Sequence, residues 1–382
     1  MNLKDFENSS AGRLVRTRQE YWAFIPNPLP PVLNFSPGLV SALSNADRIL
    51  GELNGIGGTL KNPHLLIRPF ARREAVLSSR IEGTQASLQD LYTFEAVQLP
   101  LFETGDVREV YNYVQALDYG LERLKTLPMS LRLIKEVHAR LMVGVRGDIW
   151  TPGEFRRSQN WIGPVGCTLE TATYVPPPVE EMISALEALE DFFYNSTQLP
   201  PLIRMGLIHY QFEAIHPFLD GNGRMGRLMN VLLLNAWGLL TQPMLYLSPY
   251  FEKNRQQYYT LLKSVSQQAA WEEWLLFFLE AVINQGNDEI QKIRQLQTLQ
   301  LEYYDRIQNT TLAAPLQLVI DLLFSQPILG IRQVETALGV KFPTAQRYID
   351  RLVEIGIVRE TTGRSRNRIY LANEIFKIIQ NV

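Results

Sequence analysis

The chain is poor in sulfur chemistry, with one cysteine, Cys167, in 382 residues. A single thiol excludes an internal disulfide and a cysteine-based zinc site, and without an identifiable activating partner it reads as an ordinary semi-buried thiol. No run of about 18 apolar residues occurs, so no membrane-spanning helix is expected. Lys4, Asp5, Glu7 and Arg13 stand where a secretory signal would be apolar, which makes the cytoplasm the expected compartment and membrane an unexpected partner. Neither sign of charge dominates, since 37 Lys and Arg face 39 Asp and Glu, and no global field recruits nucleic acid. Internal repeats and low-complexity tracts are missing too, which excludes solenoid and disordered architectures.

What is present is a long, mainly α pattern with two irregular stretches. The length exceeds one typical domain, so two or three units are expected. Residues 1 to about 35 look irregular and end in Pro26, Pro28, Pro30 and Pro31, an extended segment lying on a surface. Helical periodicity runs from Leu39 to Leu53, where Gly55, Gly57 and Gly58 should stop it, and resumes from Pro69 through Ile81. Amphipathic helices then follow over Val107–Leu124, Leu131–Met142, Val179–Phe193, Leu202–Phe212 and Gly223–Trp237. Between 155 and 178 the Gly163-Pro164 break, the β-branched and aromatic positions and the Pro176-Pro177-Pro178 stop predict a β-hairpin. The expected units are 1–105, 106–285, a linker helix over 286–313 and a last domain over 314–382.

The densest chemistry lies in the twelve residues from His216 to Arg227, His-Pro-Phe-Leu-Asp-Gly-Asn-Gly-Arg-Met-Gly-Arg. Polar and glycine positions crowd together here, and the apolar rhythm returns only at Leu228, Val231, Leu232 and Leu234, so the stretch reads as a loop entering a helix. Gly221 and Gly223 allow consecutive amides to turn inward as an anion nest, and the helix start adds its unpaired N–H groups, so phosphates fit there. Arg224 and Arg227 fall on one face at i and i+3, with forked guanidiniums suited to phosphate oxygens. Asp220 offers a hard oxygen for Mg²⁺, and His216 is the natural general base at neutral pH.

The segment resembles the signature of Fic-domain proteins, H-x-F-x-[DE]-G-N-G-R-x-x-R, and fills every defined position. The resemblance implies a mainly helical Fic bundle with a hairpin called the flap. It implies transfer of AMP from Mg·ATP to a Ser, Thr or Tyr hydroxyl of a protein target, which the sequence does not identify and which could be the chain itself. His216 would take the hydroxyl proton and Asp220 would hold Mg²⁺. Gly221, Asn222 and Gly223 would cradle the phosphates, Arg224 would neutralise the leaving pyrophosphate, and Arg227 would clamp the γ-phosphate. The flap edge could pair with target backbone, with Trp161 or Ile162 clamping the modified side chain, although an aromatic beside an aliphatic is also ordinary packing. Tyr258 and Tyr259 lie where the family lines its adenine pocket, or form a core aromatic pair.

A second match stands upstream. Ser78-Ser79-Arg80-Ile81-Glu82-Gly83 resembles the inhibitory motif [ST]-x-x-x-E-[GN] of self-inhibited Fic proteins, with Ser78, Glu82 and Gly83 in its defined positions. Glu82 would occupy the guanidinium fork of Arg227, and by the same resemblance could serve as a base for removing AMP.

The C-terminal stretch has its own pattern. Helices over Ile331–Leu338 and Phe342–Ile355 flank the Gly339-Val340 turn, and two short strands flank Thr361–Asn367, a basic tip. The whole resembles a winged helix-turn-helix domain, and from residue 314 nine basic residues face six acidic ones. DNA contact and protein contact or homodimerisation both remain open readings. The alternative to a transferase is a DNA-binding regulator whose Fic module senses a nucleotide.

Overall fold

A computed structural model describes residues 1–382 except 61, 62, 98–104, 146–150, 196, 197, 365, 381 and 382. The chain is mainly helical with two small sheets. A hairpin, β1 (Gly12–Arg16) and β2 (Trp22–Pro26), precedes α1 (Pro37–Thr59), α2 (Pro63–Ile81), α3 (Leu88–Val97), α4 (Gly105–Arg123) and α5 (Leu131–Leu141). After an irregular stretch come α6 (Val179–Asn195), α7 (Pro201–Ile215), α8 (Asn222–Ala236), α9 (Ser248–Lys253), α10 (Arg255–Gln268) and α11 (Trp271–Ile307). The remainder is α12 (Ala313–Ser325), β3 (Ile328–Gly330), α13 (Ile331–Leu338), α14 (Phe342–Glu354), β4 (Arg359–Glu360), β5 (Ile369–Leu371) and α15 (Asn373–Gln380). Among the described helices none is long and apolar enough to cross a membrane.

The central pair is α7 and α8. Helix α7 is buried on every side, and α8 nearly so, which is why neither shows the one-sided apolar stripe of a surface helix. Gly206 brings α7 against α11: its carbonyl accepts from Trp274 Nε1 at 2.9 Å, and a β-carbon there would sit 2.9 Å from Leu275. Helix α2 packs against α4, α8, α9, α12 and α15. Buried Glu74 fastens it by accepting from the Ser248 amide at 3.1 Å, the Ser248 hydroxyl at 2.5 Å and Tyr113 OH at 3.0 Å.

Several expectations need correction. The first 26 residues are not all irregular: β1 and β2 pair antiparallel with Gly12 opposite Pro26, and Ala23, Phe24 and Ile25 are buried. β1, Gly-Arg-Leu-Val-Arg, is too short and too charged to stand out, and the five-residue apolar run of β2 leads straight into the prolines that follow. Gly55, Gly57 and Gly58 do not stop α1, which continues to Thr59, and the helix expected over 286–313 does not begin at Gly286, because α11 runs through it from Trp271 to Ile307. Two of these glycines, Gly57 and Gly286, serve close approach instead: a β-carbon on Gly57 would lie 2.2 Å from the Met244 methyl, and one on Gly286 2.3 Å from Ile49. Packing of α1 along α11 outweighs a helix-propensity cost of about 1 kcal/mol per glycine. Likewise Pro69 lies inside α2 rather than at its start. The hairpin expected over 155–178 is reduced to one antiparallel bridge, Ile162 with Tyr174, because the prolines around it withhold ladder donors.

Gly206→Val should push α7 and α11 apart and lower stability by about 1–3 kcal/mol. The check is a urea titration, in which the midpoint falls and the slope stays unchanged.

Candidate active site

His216 ends α7 in the left-handed region, at φ 50° and ψ 61°. The chain then crosses to Gly221, at φ 80°, and enters α8. A β-carbon on Gly221 would meet Met142 Sδ at 2.8 Å, so both the backbone angle and the space call for glycine. Asn222 fastens this loop, since its Oδ1 accepts from the Phe218 amide and its Nδ2 donates to the Phe218 carbonyl, both at 2.8 Å. Its side chain therefore builds the loop rather than facing a ligand. Phe218 stacks on His138 with ring centroids 3.6 Å apart. His138 Nδ1 accepts from the Gly153 amide, so its Nε2–H donates to the Asp220 carbonyl at 3.0 Å. Burial pulls His138 down to about 4, keeping it neutral. Buried Arg156 and Asn160 Nδ2 both donate to the His216 carbonyl at 3.1 Å.

These contacts present the His216 ring in a defined state. Its Nδ1 lies 3.2 Å from the Glu213 carbonyl and donates to it, which leaves Nε2 as the basic atom. Burial depresses its pKa to about 4, so the imidazole is neutral at physiological pH.

A cavity of about 620 Å³ opens beside His216. Its wall includes Glu82, Trp161, Ile162, Glu213, His216, Gly223, Arg227, Tyr258 and Tyr259. Sequence reasoning named all of these except Glu213. Trp161 is 41% exposed and its indole N–H donates to the Cys167 carbonyl at 3.0 Å. Tyr258 is buried, with its hydroxyl 2.8 Å from His209 Nε2, whereas Tyr259 is 42% exposed. One tyrosine is thus a core residue as well as wall, and the other is partly open, with the Arg255 guanidinium 5.9 Å from its ring centroid.

Arg227 is 2% exposed and fully engaged with the end of α2. Its Nε donates to Ser78 Oγ at 2.9 Å, and its Nη2 donates to the Ser78 carbonyl at 2.9 Å and to Glu82 Oε1 at 2.7 Å. Burial raises the Glu82 pKa, but Arg227, with Arg224 and His216, outweighs it and holds the carboxyl below its ordinary value. Gly223 makes this approach feasible, because a β-carbon there would lie 2.2 Å from Glu82 Oε1. Gly83, at φ 101°, turns the chain away immediately afterwards.

The expected alignment of the two arginines is not observed. Arg224 is turned to Glu109, 3.2 Å from Nη1 to Oε2, and stands 3.7 Å from Asp220 Oδ1. Glu109 also accepts from Thr84, just past the Glu82 turn, and so ties the segment after α2 to α8 through Arg224. Asp220 is 44% exposed and its Oδ1 accepts from the Gly221 amide at 2.6 Å. Among the described residues no cluster of three His, Cys, Asp or Glu forms a ready metal cage. One accessible carboxylate suits Mg²⁺, which is commonly held by one or two carboxylates together with substrate phosphates.

Glu74, Glu109, His138, Arg156, Asn160 and Glu213 escaped sequence reasoning because none belongs to a short motif. A signal existed for Glu213: with Arg204, His209 and Gln211 it interrupts an otherwise apolar helix, where charge is costly without a use.

Residues 40–122 match the Fic/DOC family N-terminal profile and residues 128–234 the Fic/DOC family profile. Protein adenylyltransferase Fic of Drosophila willistoni is 30% identical over 164 residues, which cover 41% of this chain and 30% of that protein. Its counterpart in Drosophila grimshawi is 29% identical over 195 residues, 49% of this chain and 36% of the relative. The matched stretch is thus about a third of the length of these curated relatives. A Fic family protein from Desulfovibrio desulfuricans G20 superimposes with a TM-score of 0.57 at 20% identity, over 90% of this chain and 98% of that one. Fic-1 (residues 134–508) from C. elegans does so with a TM-score of 0.51 at 20% identity, over 67% and 74%. At such identities the superpositions speak for the fold, and the two profile matches for the lineage. The chain is a Fic/DOC family protein, distantly related to protein adenylyltransferase Fic.

Proposed function

We propose that this protein is a self-inhibited adenylyltransferase that moves AMP from Mg·ATP to a Ser, Thr or Tyr hydroxyl of a protein, with Glu82 as the built-in inhibitor. The observation that carries the reading is the Glu82–Arg227 ion pair, 2.7 Å long, set in the same cavity wall as a neutral His216. In this reading His216 Nε2 takes the proton from the attacking hydroxyl. The α8 N-terminus and the Gly221 and Gly223 region receive the phosphates. Arg227, once free of Glu82, grips the terminal phosphate. Arg224 acts from its seat on Glu109. Asp220 would hold Mg²⁺, which supplies charge neutralisation at the phosphates. Tyr259 would stack on the base, and the segment around Trp161 and Ile162 would align target backbone. Glu82 would also serve as the base for AMP removal.

For the C-terminal unit we propose a winged helix-turn-helix that contacts duplex DNA. Lys341 at the start of α14, Arg347 on α14 and Arg364, Arg366 and Arg368 on the β4–β5 loop are all exposed, which supports this reading over a purely structural role.

Replacing His216 with Ala should abolish transfer, a loss of about 10²-fold or more, while nucleotide binding persists. Retained labelling of target or self by that variant would overturn the assignment.

Glu82→Gly should raise auto-modification from labelled ATP by at least about tenfold, and adding Arg227→Ala should remove the gain. Equal labelling by wild type and Glu82→Gly would refute built-in inhibition. Failure of the wild type to release AMP from a pre-modified target would refute the removal role.

Changing Arg364, Arg366 and Arg368 to Ala should weaken duplex DNA binding and flatten its salt dependence, each lost phosphate contact removing about 0.9 from the log–log slope. If the unit serves dimerisation instead, duplex binding is undetectable at low salt and the variants shift a dimer–monomer equilibrium.

A further inference from the structure

Arg156 is a buried guanidinium that pairs with no carboxylate. It is 1% exposed, and every hydrogen bond its side chain makes among the described residues ends on a backbone carbonyl. Nε donates to His216 at 3.1 Å, Nη1 to Ser158 at 3.3 Å and Nη2 to Pro177, while the Arg156 amide donates to the Pro217 carbonyl at 2.9 Å. Burial pulls its pKa down to about 10, which leaves it charged at neutral pH. A neutral donor could serve a carbonyl at a smaller desolvation cost, so the fork and its charge call for a use.

The carbonyls it gathers lie on separate stretches of chain. Ser158 and Pro177 belong to the two legs of the segment closed by the Ile162–Tyr174 bridge, and His216 to the loop between α7 and α8. Of these, His216 most needs holding. Its backbone is left-handed, a region disfavoured for a residue with a β-carbon, and it precedes Pro217, which biases the residue before it toward extended backbone. Asn160 Nδ2 adds a second donor to the same carbonyl and also donates to the Phe218 carbonyl at 2.8 Å. Relaxation of His216 to extended backbone would swing its ring away from the Glu213 carbonyl that now accepts from Nδ1. The proton could then settle on Nε2, the site an unconstrained imidazole favours, and the nitrogen that should accept a proton would already carry one. Charge acts in the same sense. Burial is the main reason His216 is held at about 4, and Arg156 adds to it while the Glu213 carbonyl, Glu82 and Asp220 oppose.

We propose that Arg156 is a positioning residue for the transfer: by tying the His216 carbonyl to both legs of the neighbouring segment it keeps the histidine in its left-handed turn, with the ring proton on Nδ1 and Nε2 open to the acceptor hydroxyl. This rests on the transferase reading above. Arg156 lies outside both sequence motifs and acts through His216 alone.

The test uses the full chain carrying Glu82→Gly with 15N-labelled histidine, whose ring nitrogens report by NMR which of them holds the proton. The chain has four histidines, and His216→Ala identifies the signal. At neutral pH the His216 proton should be on Nδ1. Adding Arg156→Met should move it toward Nε2 and lower kcat for AMP transfer by at least about tenfold, with Mg·ATP affinity by calorimetry unchanged. Arg156→Lys, which keeps the charge and one donor, should recover part of both the signal and the rate. Asn160→Ala, which removes the second donor to the same carbonyl, should shift the signal in the same direction and decides the matter if Arg156→Met does not fold. A proton on Nε2 in the Glu82→Gly chain overturns the proposal, as does transfer that stays at the parent rate in Arg156→Met. An unshifted ring signal in both variants overturns it too, even where transfer slows, because that marks a purely structural role. If the Glu82→Gly chain binds Mg·ATP but transfers no AMP, the transferase reading falls and the hold on His216 is still judged on the ring signals.

Discussion

The burial of one guanidinium organises this molecule. Arg227 sits inside the protein, where an unpaired positive charge would cost several kcal/mol, and its partners come from a helix nearly 150 positions earlier in the chain, with Ser78 at a separation of 149. Satisfying it fixes α2 against α8 and brings Glu82 to the cavity. The converse also holds. A carboxylate just past a helix C-terminus faces an unfavourable dipole, so Glu82 is stable in its place because Arg227 is there. Fold and site thus share one interaction: the charge that would grip a substrate phosphate also closes the tertiary structure.

The site was legible in the sequence wherever function compresses chemistry into a few consecutive residues. His216 to Arg227 and Ser78 to Gly83 each carry enough defined positions to stand out, and the structure brings the two segments into contact across 145 residues of separation. The supporting shell was not legible. Glu109, which holds Arg224, and Arg156 and Asn160, which hold the His216 carbonyl, act through pairings distant in sequence, and no local pattern distinguishes them from surface polar residues. This is why the two arginines, neighbours on one helical turn, diverge in the structure. Periodicity assigned them one face, but a carboxylate on α4 drew one of them aside.

Most long helices were legible from apolar spacing, and the errors at their ends share a cause. Glycine was read as a breaker at Gly57, where the helix instead runs past Met244 too closely to admit a β-carbon, just as α11 at Gly286 passes Ile49 of α1. Short strands were missed for a related reason: β1 and β2 span five residues each, too few to display alternation, and they gain stability from the aromatic cluster of Phe6, Phe24 and Tyr174 beneath them. Local rules fail where a tertiary neighbour supplies the free energy.

Helix α2 is fastened along its length, by Glu74 to Ser248 and Tyr113 and by α12 along its flank, and it ends at Ile81. Glu82 is the first residue beyond that end, and Gly83 follows as a left-handed pivot. In the self-inhibited reading proposed above, Glu82 therefore need not carry its helix with it to leave Arg227; opening a single turn would be sufficient. Such a latch would leak. Its resting leak would be the fraction of time that one terminal turn is frayed, so a whole-body rearrangement would not be required for a basal turnover, and the depth of silencing would be set by the local free energy of a few hydrogen bonds rather than by the stability of the fold.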